Sequence, residues 1–312
     1  MMKFILKRIL GAIPTVFFVI TITFLLVHLT PGDPFSSDRA ISQQVLDKLH
    51  HQYGMDLPLW QQYLTYLKNL IFHFDFGLSY KNIGASVNEL IFPADGDSGF
   101  WLSVKFGTIV LIVTTIFGLT LGTIAGLKQD GILDRIVSIF SVTFIAIPTV
   151  ITAPVLVLIF AVELHWLPPG QWGMDFRHLV LPVIALSLPF ICILAQIQRN
   201  SIVETLNSPF IRTAYAKGLS KTRIVLVHAI KPSLMPSISF LGPAAAGILT
   251  GTIIIEKVFA LPGMGTQMVN AATNRDYSIV LALTIIYSVL VVVFNLIVDI
   301  LYGFIDPKAR VK

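Results

Sequence analysis

The residues best suited to chemistry or to contact with a partner form a polar, basic stretch between two long apolar runs, at 207–236. Ser208 suits the N-cap of a helix, and Pro209 suits its first position, where a missing N–H costs nothing. Gly218 is a candidate left-handed helix end, and Ser220 can cap a second short helix. The sequence therefore predicts a short helix, a sharp turn and another short helix. Such an element can present a rigid surface to a soluble partner, or it can be an ordinary basic loop held near anionic lipid.

Motifs that would support enzymatic chemistry are missing from the sequence. It contains no Walker sequence ending in Gly-Lys-Ser/Thr, no His-Glu-x-x-His pair, no Gly-x-Ser-x-Gly elbow and no Cys/His cluster with metal-ligand spacing. His50 and His51 are adjacent and are expected at the surface. Cys192, the single cysteine, lies in an apolar run and is expected to be a small buried group. We therefore expect no catalytic residue, cofactor site or metal site in this chain.

The composition places most of the chain in a membrane. Hydrophobic residues make up 55% of the 312 positions and charged residues 12%, which is far from the balance of a soluble domain. Six segments contain no Asp, Glu, Lys or Arg, and each has about the 20 residues that a helix needs to cross a bilayer. They are 9–27, 106–127, 136–162, 179–197, 233–255 and 279–298. The predicted fold class is an all-α polytopic membrane protein with six transmembrane helices.

Six spans place both termini on one side of the membrane, and the basic residues indicate which side. Lys and Arg are concentrated in the connections on the side of the termini, above all at 3–8 and 199–231. By the positive-inside rule the termini are then cytoplasmic. The net charge of +5 is a topology signal under this interpretation, and no nucleic-acid partner is expected. The first apolar run is too long for a secretion signal and is interpreted as a retained anchor.

The connection at 30–105, between the first and second spans, is a long external loop in this topology. Helices are predicted at 43–53 and 59–74, and the second has an apolar face that recurs at three- and four-residue steps. That face consists of Trp60, Tyr63, Leu64, Leu67, Leu70, Ile71 and Phe74. The helix can lie on the membrane surface or under a docked external partner.

A second external patch, at 259–265, combines turn-forming glycines with apolar residues and is followed by a polar turn at 274–277. This pattern predicts a tucked loop near the external mouth of a pathway. The candidate gate or loop residues are Glu256, Pro262, Gly263, Gly265, Asn274, Arg275 and Asp276.

The central spans contain residues that bend helices or let them approach closely. Prolines at 148 and 154, at 182 and 189, and at 236 and 243 are expected to bend the third, fourth and fifth spans. Gly118, Gly122 and Gly126 form one face of the second span and predict close packing, within the subunit or against a partner subunit. The conspicuous ionisable residues, Glu256 and Asp299, lie at span ends, which argues against an ion-coupled secondary carrier.

The polar stretch also resembles a known family. Residues 212–219, Arg-Thr-Ala-Tyr-Ala-Lys-Gly-Leu, followed by 228–232 and Pro236, resemble the signature loop of ABC importer permeases in the version typical of peptide importers. Similar matches at 31–35, 75–77, 79–81, 261–265, 274–278 and 305–308 extend the resemblance over nearly the whole chain. One departure is that the broader family begins its loop with Glu-Ala-Ala, where this chain has Arg212-Thr213-Ala214.

The resemblance implies a type I ABC importer permease fold, with 106–304 as the membrane core, 199–232 as its cytoplasmic coupling loop and 305–312 as a cytoplasmic tail. The chain would form half of a pathway for oligopeptides in the bacterial inner membrane. Dipeptides, glutathione, nickel chelates and murein peptides are alternative substrates. Its partners would be a second homologous permease, two ABC ATPase subunits that bind ATP and Mg, and an external peptide-binding protein.

The same resemblance assigns roles in the coupling loop. Arg212 and Lys217 would pair with acidic groups on an ATPase subunit. Ala214, Ala216 and Gly218 would allow close approach, and Phe210 and Leu219 would supply an apolar anchor. Thr213 is the remaining residue of the predicted coupling loop and is given no separate role. Hydrolysis of ATP would take place in the partner subunits and not in this chain. An ion-coupled carrier and a membrane scaffold remain the competing classes.

Overall fold

A computed structural model describes residues 2–30, 32–35, 42–93, 98–173 and 175–305. These residues are mostly α-helical and contain no β-strand. Pro31 and residues 306–312, which include part of the predicted tail motif, lie outside the described residues. The helices are α1 (Met2–Leu29), α2 (Gln43–Gln52), α3 (Leu59–His73), α4 (Val87–Ile91), α5 (Gly99–Leu127), α6 (Ile132–Ala146), α7 (Thr149–Leu156), α8 (Arg177–Leu206), α9 (Pro209–Ala216), α10 (Lys221–Arg223), α11 (Ile230–Val258), α12 (Met264–Thr273) and α13 (Tyr277–Ile305). Two π-helical segments, Val157–Glu163 and Ile224–Ala229, follow α7 and α10.

Within the described ranges, five helices are long and apolar enough to cross a membrane, and the count is six if a bent pair is one span. The five are Ile9–Leu29, Gly99–Leu127, Arg177–Leu206, Lys221–Leu249 and Tyr277–Ile300. The bent pair is Ile132–Ala146 with Thr149–Glu163. Each of the six predicted spans falls on one of these segments, so the all-α polytopic fold class is confirmed.

The third predicted span, at 136–162, is broken and not merely kinked. The two helices of the pair meet at 107°. Ile147 has an extended backbone (φ −90°, ψ 118°) between them, because the ring of the following Pro148 disfavours helical backbone at the preceding residue. Pro182 and Pro189, by contrast, lie inside a continuous α8, so a proline alone did not reveal where the break would fall.

The chain divides into two compact units. The first unit contains residues 1–9, 104–261 and 291–312, and the second contains 10–103 and 262–290. The unit boundaries differ from the predicted segment boundaries because α1, α5 and α13 each run through both units.

The first unit is built around α8, whose buried residues face α6, α7 and α11. The glycine face of α5 also packs on α8. A Cβ added at Gly118 would lie 2.8 Å from the side chain of Leu194, and one at Gly126 would lie 2.8 Å from the carbonyl oxygen of Arg199. Backbones approach this closely only where side chains are missing. The predicted small-residue face therefore packs against a helix of the same chain.

The second unit has an apolar core shared by α1, α3, α4, α12 and α13. Ile20 and Phe24 of α1 pack there with Leu70 of α3 and with Leu283 of α13. The hydroxyl groups of Thr21 on α1 and Tyr63 on α3 are 2.6 Å apart and form a hydrogen bond. This core fixes α3 and α4 of the 30–105 segment to α1 and α13.

Candidate functional site

The first part of the candidate site is α9, which begins shortly after α8 ends at Leu206. Ser208 has the extended backbone of an N-cap (φ −70°, ψ 153°), and Pro209 follows at the first helical position, as predicted. The Ser208 hydroxyl does not cap the helix, however, and that part of the prediction is wrong. It donates instead to the carbonyl oxygen of Thr205, at 2.6 Å, in the last turn of α8.

The end of α9 is a Schellman motif around Gly218. The Gly218 N–H donates to Tyr215 O (2.9 Å), and the Leu219 N–H donates to Ala214 O (3.3 Å). Gly218 has φ +77°, and a Cβ at this position would meet nothing within 4 Å. The predicted left-handed helix end is confirmed, and only the backbone conformation requires glycine there.

One face of α9 packs against the chain itself. Ile211 is fully buried and Ala214 nearly so, in a cluster with Ile202 of α8, and Leu219 packs against the same cluster. Ala214 and Leu219 were expected to face a partner. The structure corrects their placement, because the Schellman turn directs Leu219 back onto the buried side of the helix.

The opposite face of α9 is exposed. It contains Phe210, which is 49% exposed, with Arg212, Thr213, Ala216 and Lys217. We call these five residues the α9 face. The structure thus brings five of the eight predicted loop residues onto one accessible surface.

Three exposed apolar residues of α9 and of the π-helical segment that packs against it were not predicted. They are Tyr215, Leu226 and Val227. Tyr215 follows Ile211 by four residues, so the helical period places it beside the buried side and did not mark it as exposed. Leu226 and Val227 lie in the π-helical segment, which has a different period, and no sequence signal marked them.

The predicted second short helix is wrong in its extent. α10 starts after Ser220 but does not end in a turn, since it continues through Ile224–Ala229 into α11. Ser220 makes no side-chain cap, and its carbonyl oxygen accepts from the Ile224 N–H at 3.0 Å. The α9 face is therefore carried between two long helices, α8 and the continuous helix through α11.

Polar contacts fix α8 immediately before the loop. The Gln198 side chain is fully buried and donates to Thr123 Oγ1 and to Ser233 Oγ, both at 3.2 Å. Ser237 Oγ donates to Gln198 Oε1 at 2.7 Å. This network joins α5, α8 and α11. Motion of the loop would be transmitted through helices whose contacts are hydrogen-bonded as well as packed.

The second part of the candidate site is the loop around α12. Gly263 has the extended backbone of an N-cap, and the Met264 N–H donates to Ser103 Oγ at 2.9 Å. A Cβ added at Gly99 would lie 3.0 Å from the Gly263 carbonyl carbon. Gly263 and Gly265 are buried, and Pro262 is exposed. The start of α12 is therefore held against the start of α5.

The end of α12 is fixed by Asp276. Arg275 takes a left-handed backbone (φ 58°), and the Asp276 N–H donates to Ala271 O at 2.8 Å. The buried Asp276 carboxylate accepts from the hydroxyl of Ser79 and from the Tyr80 N–H, the latter at 3.1 Å. Burial raises the pKa of Tyr80 above its ordinary value, so its hydroxyl remains protonated at neutral pH.

These contacts join two of the sequence matches, 79–81 and 274–278, in one structure. Asn274 and Arg275 remain exposed, and Asn274 lines a cavity of about 420 Å³ together with Lys81, Gln267 and Asn270. Glu256, the remaining gate candidate, is buried in α11 and belongs to the other compact unit. Within the residues that the structure describes, no group of His, Cys, Asp or Glu is arranged to hold a metal ion.

Two family models match the sequence. Residues 118–311 match the binding-protein-dependent transport system inner membrane component, and residues 1–87 match the N-terminal part of a binding-protein-dependent transport system membrane component. The chain therefore belongs to the family of binding-protein-dependent transport system inner membrane components, the ABC importer permeases. This confirms the predicted family, and the protein is a multi-pass protein of the inner membrane.

Relatives match along the full length. The oligopeptide transport system permease protein OppB of Haemophilus influenzae is 48% identical over 99% of this chain and 100% of its own length. OppB of Escherichia coli K12 is 47% identical over the same shares. The dipeptide transport system permease protein DppB of Bacillus subtilis is 39% identical over 99% of this chain and 98% of its own.

A solved structure supports the fold. The MetNI methionine ABC transporter, in an inward-facing conformation, matches with a TM-score of 0.55 and 15% identity over 67% of this chain and 94% of that one. At this identity the likeness concerns the fold alone, and it agrees with the predicted type I permease fold.

Proposed function

We propose that this chain is one of two homologous permease subunits of an ATP-driven oligopeptide importer, and that the α9 face binds a separate ATPase subunit. Two ATPase subunits would bind ATP and Mg, and an external peptide-binding protein would deliver the substrate. The termini and α9 would then be cytoplasmic. The observation that carries the proposal is the exposed α9 face, on a short helix that is anchored by Ile211, closed by a Schellman turn and placed between two long helices.

The geometry suits transmission of force. α9 is tied to its own subunit by Ile211 and by the Schellman turn, so a displacement of α9 has to move α8 and α11 with it. An ATPase pair can shift the permease between two states only if its contacts with α9 differ between them. Arg212 and Lys217 supply charges that an acidic groove can recognise, and Phe210 supplies apolar area to bury.

The substrate class rests on the relatives. The oligopeptide permeases are 47–48% identical to this chain, and the dipeptide permease of Bacillus subtilis is 39% identical. Oligopeptides are therefore the first candidate, and dipeptides are the second. Glutathione, nickel chelates and murein peptides complete the alternatives. The external binding protein would make much of the selection.

Reconstitution tests the proposal. Vesicles that contain this chain, the second permease and both ATPase subunits should accumulate a labelled oligopeptide when the binding protein and ATP are supplied. Omission of either the ATPase subunits or ATP should abolish uptake. Uptake by this chain alone under a proton or sodium gradient would support the secondary-carrier alternative and would contradict the proposal.

A further inference from the structure

Helix α3 has a wide apolar surface, and the rest of the second unit covers only part of it. On one side, Tyr63, Tyr66, Leu67 and Leu70 pack against the core of the second unit. Beside them lie Trp60, Leu64 and Ile71, which are 61%, 55% and 63% exposed. At 100° per residue these three fall within about 40° of one another and next to Leu67. We call Trp60, Leu64 and Ile71 the exposed stripe.

A hydrogen bond shows how deep α3 lies along the first span. Tyr63 of α3 bonds to Thr21 of α1. Thr21 lies more than two turns before the end of α1 at Leu29, which is about 12 Å along the helix axis. The apolar part of α1, Ile9–Leu29, is long enough to cross the hydrocarbon layer once, about 30 Å. α3 therefore meets α1 inside the hydrocarbon layer, in the leaflet nearer Leu29.

An apolar groove of about 430 Å³ runs beside α3. Its lining is almost entirely apolar and includes Val16 of α1, Leu70 and Ile71 of α3, and Ile286 and Val289 of α13. Val16 lies about 20 Å from Leu29 along α1, so the groove extends from the level of α3 to just past the middle of a layer about 30 Å thick. Water has no polar partners in such a groove.

We propose that α3 lies within the membrane and that this groove binds an acyl chain of a phospholipid in the leaflet nearer Leu29. Val16, which lines the groove, is followed on α1 by Phe17 and Phe18, which are exposed and would contact lipid in a membrane. Lys68 follows Leu64 by one turn and is exposed. Its stem can lie along the stripe while its ammonium group reaches the phosphate of a headgroup. This inference is independent of the proposed import function.

The depth of α3 is tested by spin labelling of the full-length chain in phospholipid vesicles. A Cys192→Ala background removes the only cysteine, and Leu64→Cys then places a label on the stripe. Val45→Cys is the control, because Val45 is an exposed apolar residue of α2 in the same segment. The label at 64 should be relaxed by oxygen and shielded from a water-soluble nickel chelate, and the label at 45 should show the reverse. A label at 64 that is open to nickel, or shielded from both agents by protein, would overturn the proposal.

The groove is tested by native mass spectrometry of the purified chain and of its matched variants. Val289→Trp fills the groove, whereas Val293→Trp places the same group on the same helix at a similarly exposed residue outside it. The wild-type chain and Val293→Trp should retain a bound phospholipid, and Val289→Trp should lose it. Equal retention by the two variants would exclude the groove as the binding site.

Discussion

Arg199 on α8 holds Asp134 on α6 through two parallel hydrogen bonds. Nε donates to Oδ1 at 2.9 Å and Nη2 donates to Oδ2 at 2.7 Å. The Asp134 side chain is 5% exposed and also accepts from the Asp130 N–H at 2.9 Å. Arg199 lies one residue after Gln198 on the helix that leads into α9, so this pair fixes the helix that supports α9.

Breaking this ion pair should destabilise the protein. Arg199→Met leaves the Asp134 carboxylate buried without its cation, so the free energy of unfolding should fall by about 3 kcal/mol. This value is at the lower end of the range for buried ion pairs, because Arg199 is partly exposed. Thermal unfolding in detergent measures the loss. Arg177→Met is the matched control, since its pair with Asp175 is 3.5 Å long and well exposed, and its effect should be within about 0.5 kcal/mol. Equal effects of the two substitutions would contradict the assignment.

Removal of the Gln198 amide should loosen the contact among three helices. Gln198→Leu deprives Thr123, Ser233 and Ser237 of their shared partner. Interhelical hydrogen bonds in membranes contribute about 1–2 kcal/mol at most, so the loss in unfolding free energy should be of that size. The same melting assay reports it. Gln43→Leu, at an exposed residue of α2, should leave the melting temperature unchanged, and a neutral Gln198→Leu would show that the network adds no stability.

The close approach of α5 and α8 should not tolerate a methyl group. In Gly122→Ala the new Cβ would overlap the carbonyl oxygen of Ala195 and lie 2.7 Å from Cβ of Gln198. Overpacking of this kind costs about 1–3 kcal/mol. Gly11→Ala is the control, because nothing lies within 4 Å of a Cβ there. The yield of monodisperse protein should fall for Gly122→Ala only. A normal yield of Gly122→Ala would mean that α5 and α8 lie farther apart than described.

Asp276 should determine the order of the loop around α12. Asp276→Ala removes the acceptor for the buried Ser79 hydroxyl and for the Tyr80 N–H, a loss of about 1–3 kcal/mol for each donor left without an acceptor. Amide hydrogen exchange at 259–278 should accelerate, while exchange in α8 stays unchanged. Unaltered exchange in the loop would mean that packing at Met264, and not Asp276, holds it.

Gly218 should be required for its backbone conformation and not for its size. A β-branched residue is strained at φ +77°, so Gly218→Val should open the Schellman turn, whereas Gly218→Asn should retain it. We expect an importer that carries Gly218→Val to hydrolyse ATP without importing peptide. An importer that carries Gly218→Asn should keep the normal ratio of peptide uptake to ATP hydrolysis. The ratio of peptide uptake to ATP hydrolysis, measured in reconstituted importer, gives the result. Normal uptake by Gly218→Val would refute the coupling role.

The sequence predicted those features that depend on residues close together in the chain. Six apolar runs identified the spans, and Pro209 and Gly218 marked both ends of α9, because backbone preferences of single residues act locally. The glycine spacing at 118, 122 and 126 predicted a packing face but not which helix would occupy it.

Other features depend on contacts between distant residues and were not predictable. Ala214 and Leu219 were predicted to face a partner, but that side of α9 packs against Ile202 and Ile224 of the same chain. The bond from Ser79 to Asp276 joins residues that only the folded chain brings together.

The central claim is that the α9 face contacts an ATP-hydrolysing subunit. The most direct test places a photoreactive benzoylphenylalanine at Phe210, within the intact importer, and identifies the cross-linked protein. We expect the ATPase subunit at this position and not at Trp166, an exposed aromatic residue that follows the third span. Absence of an ATPase cross-link at Phe210 in an importer that transports peptide would contradict the account.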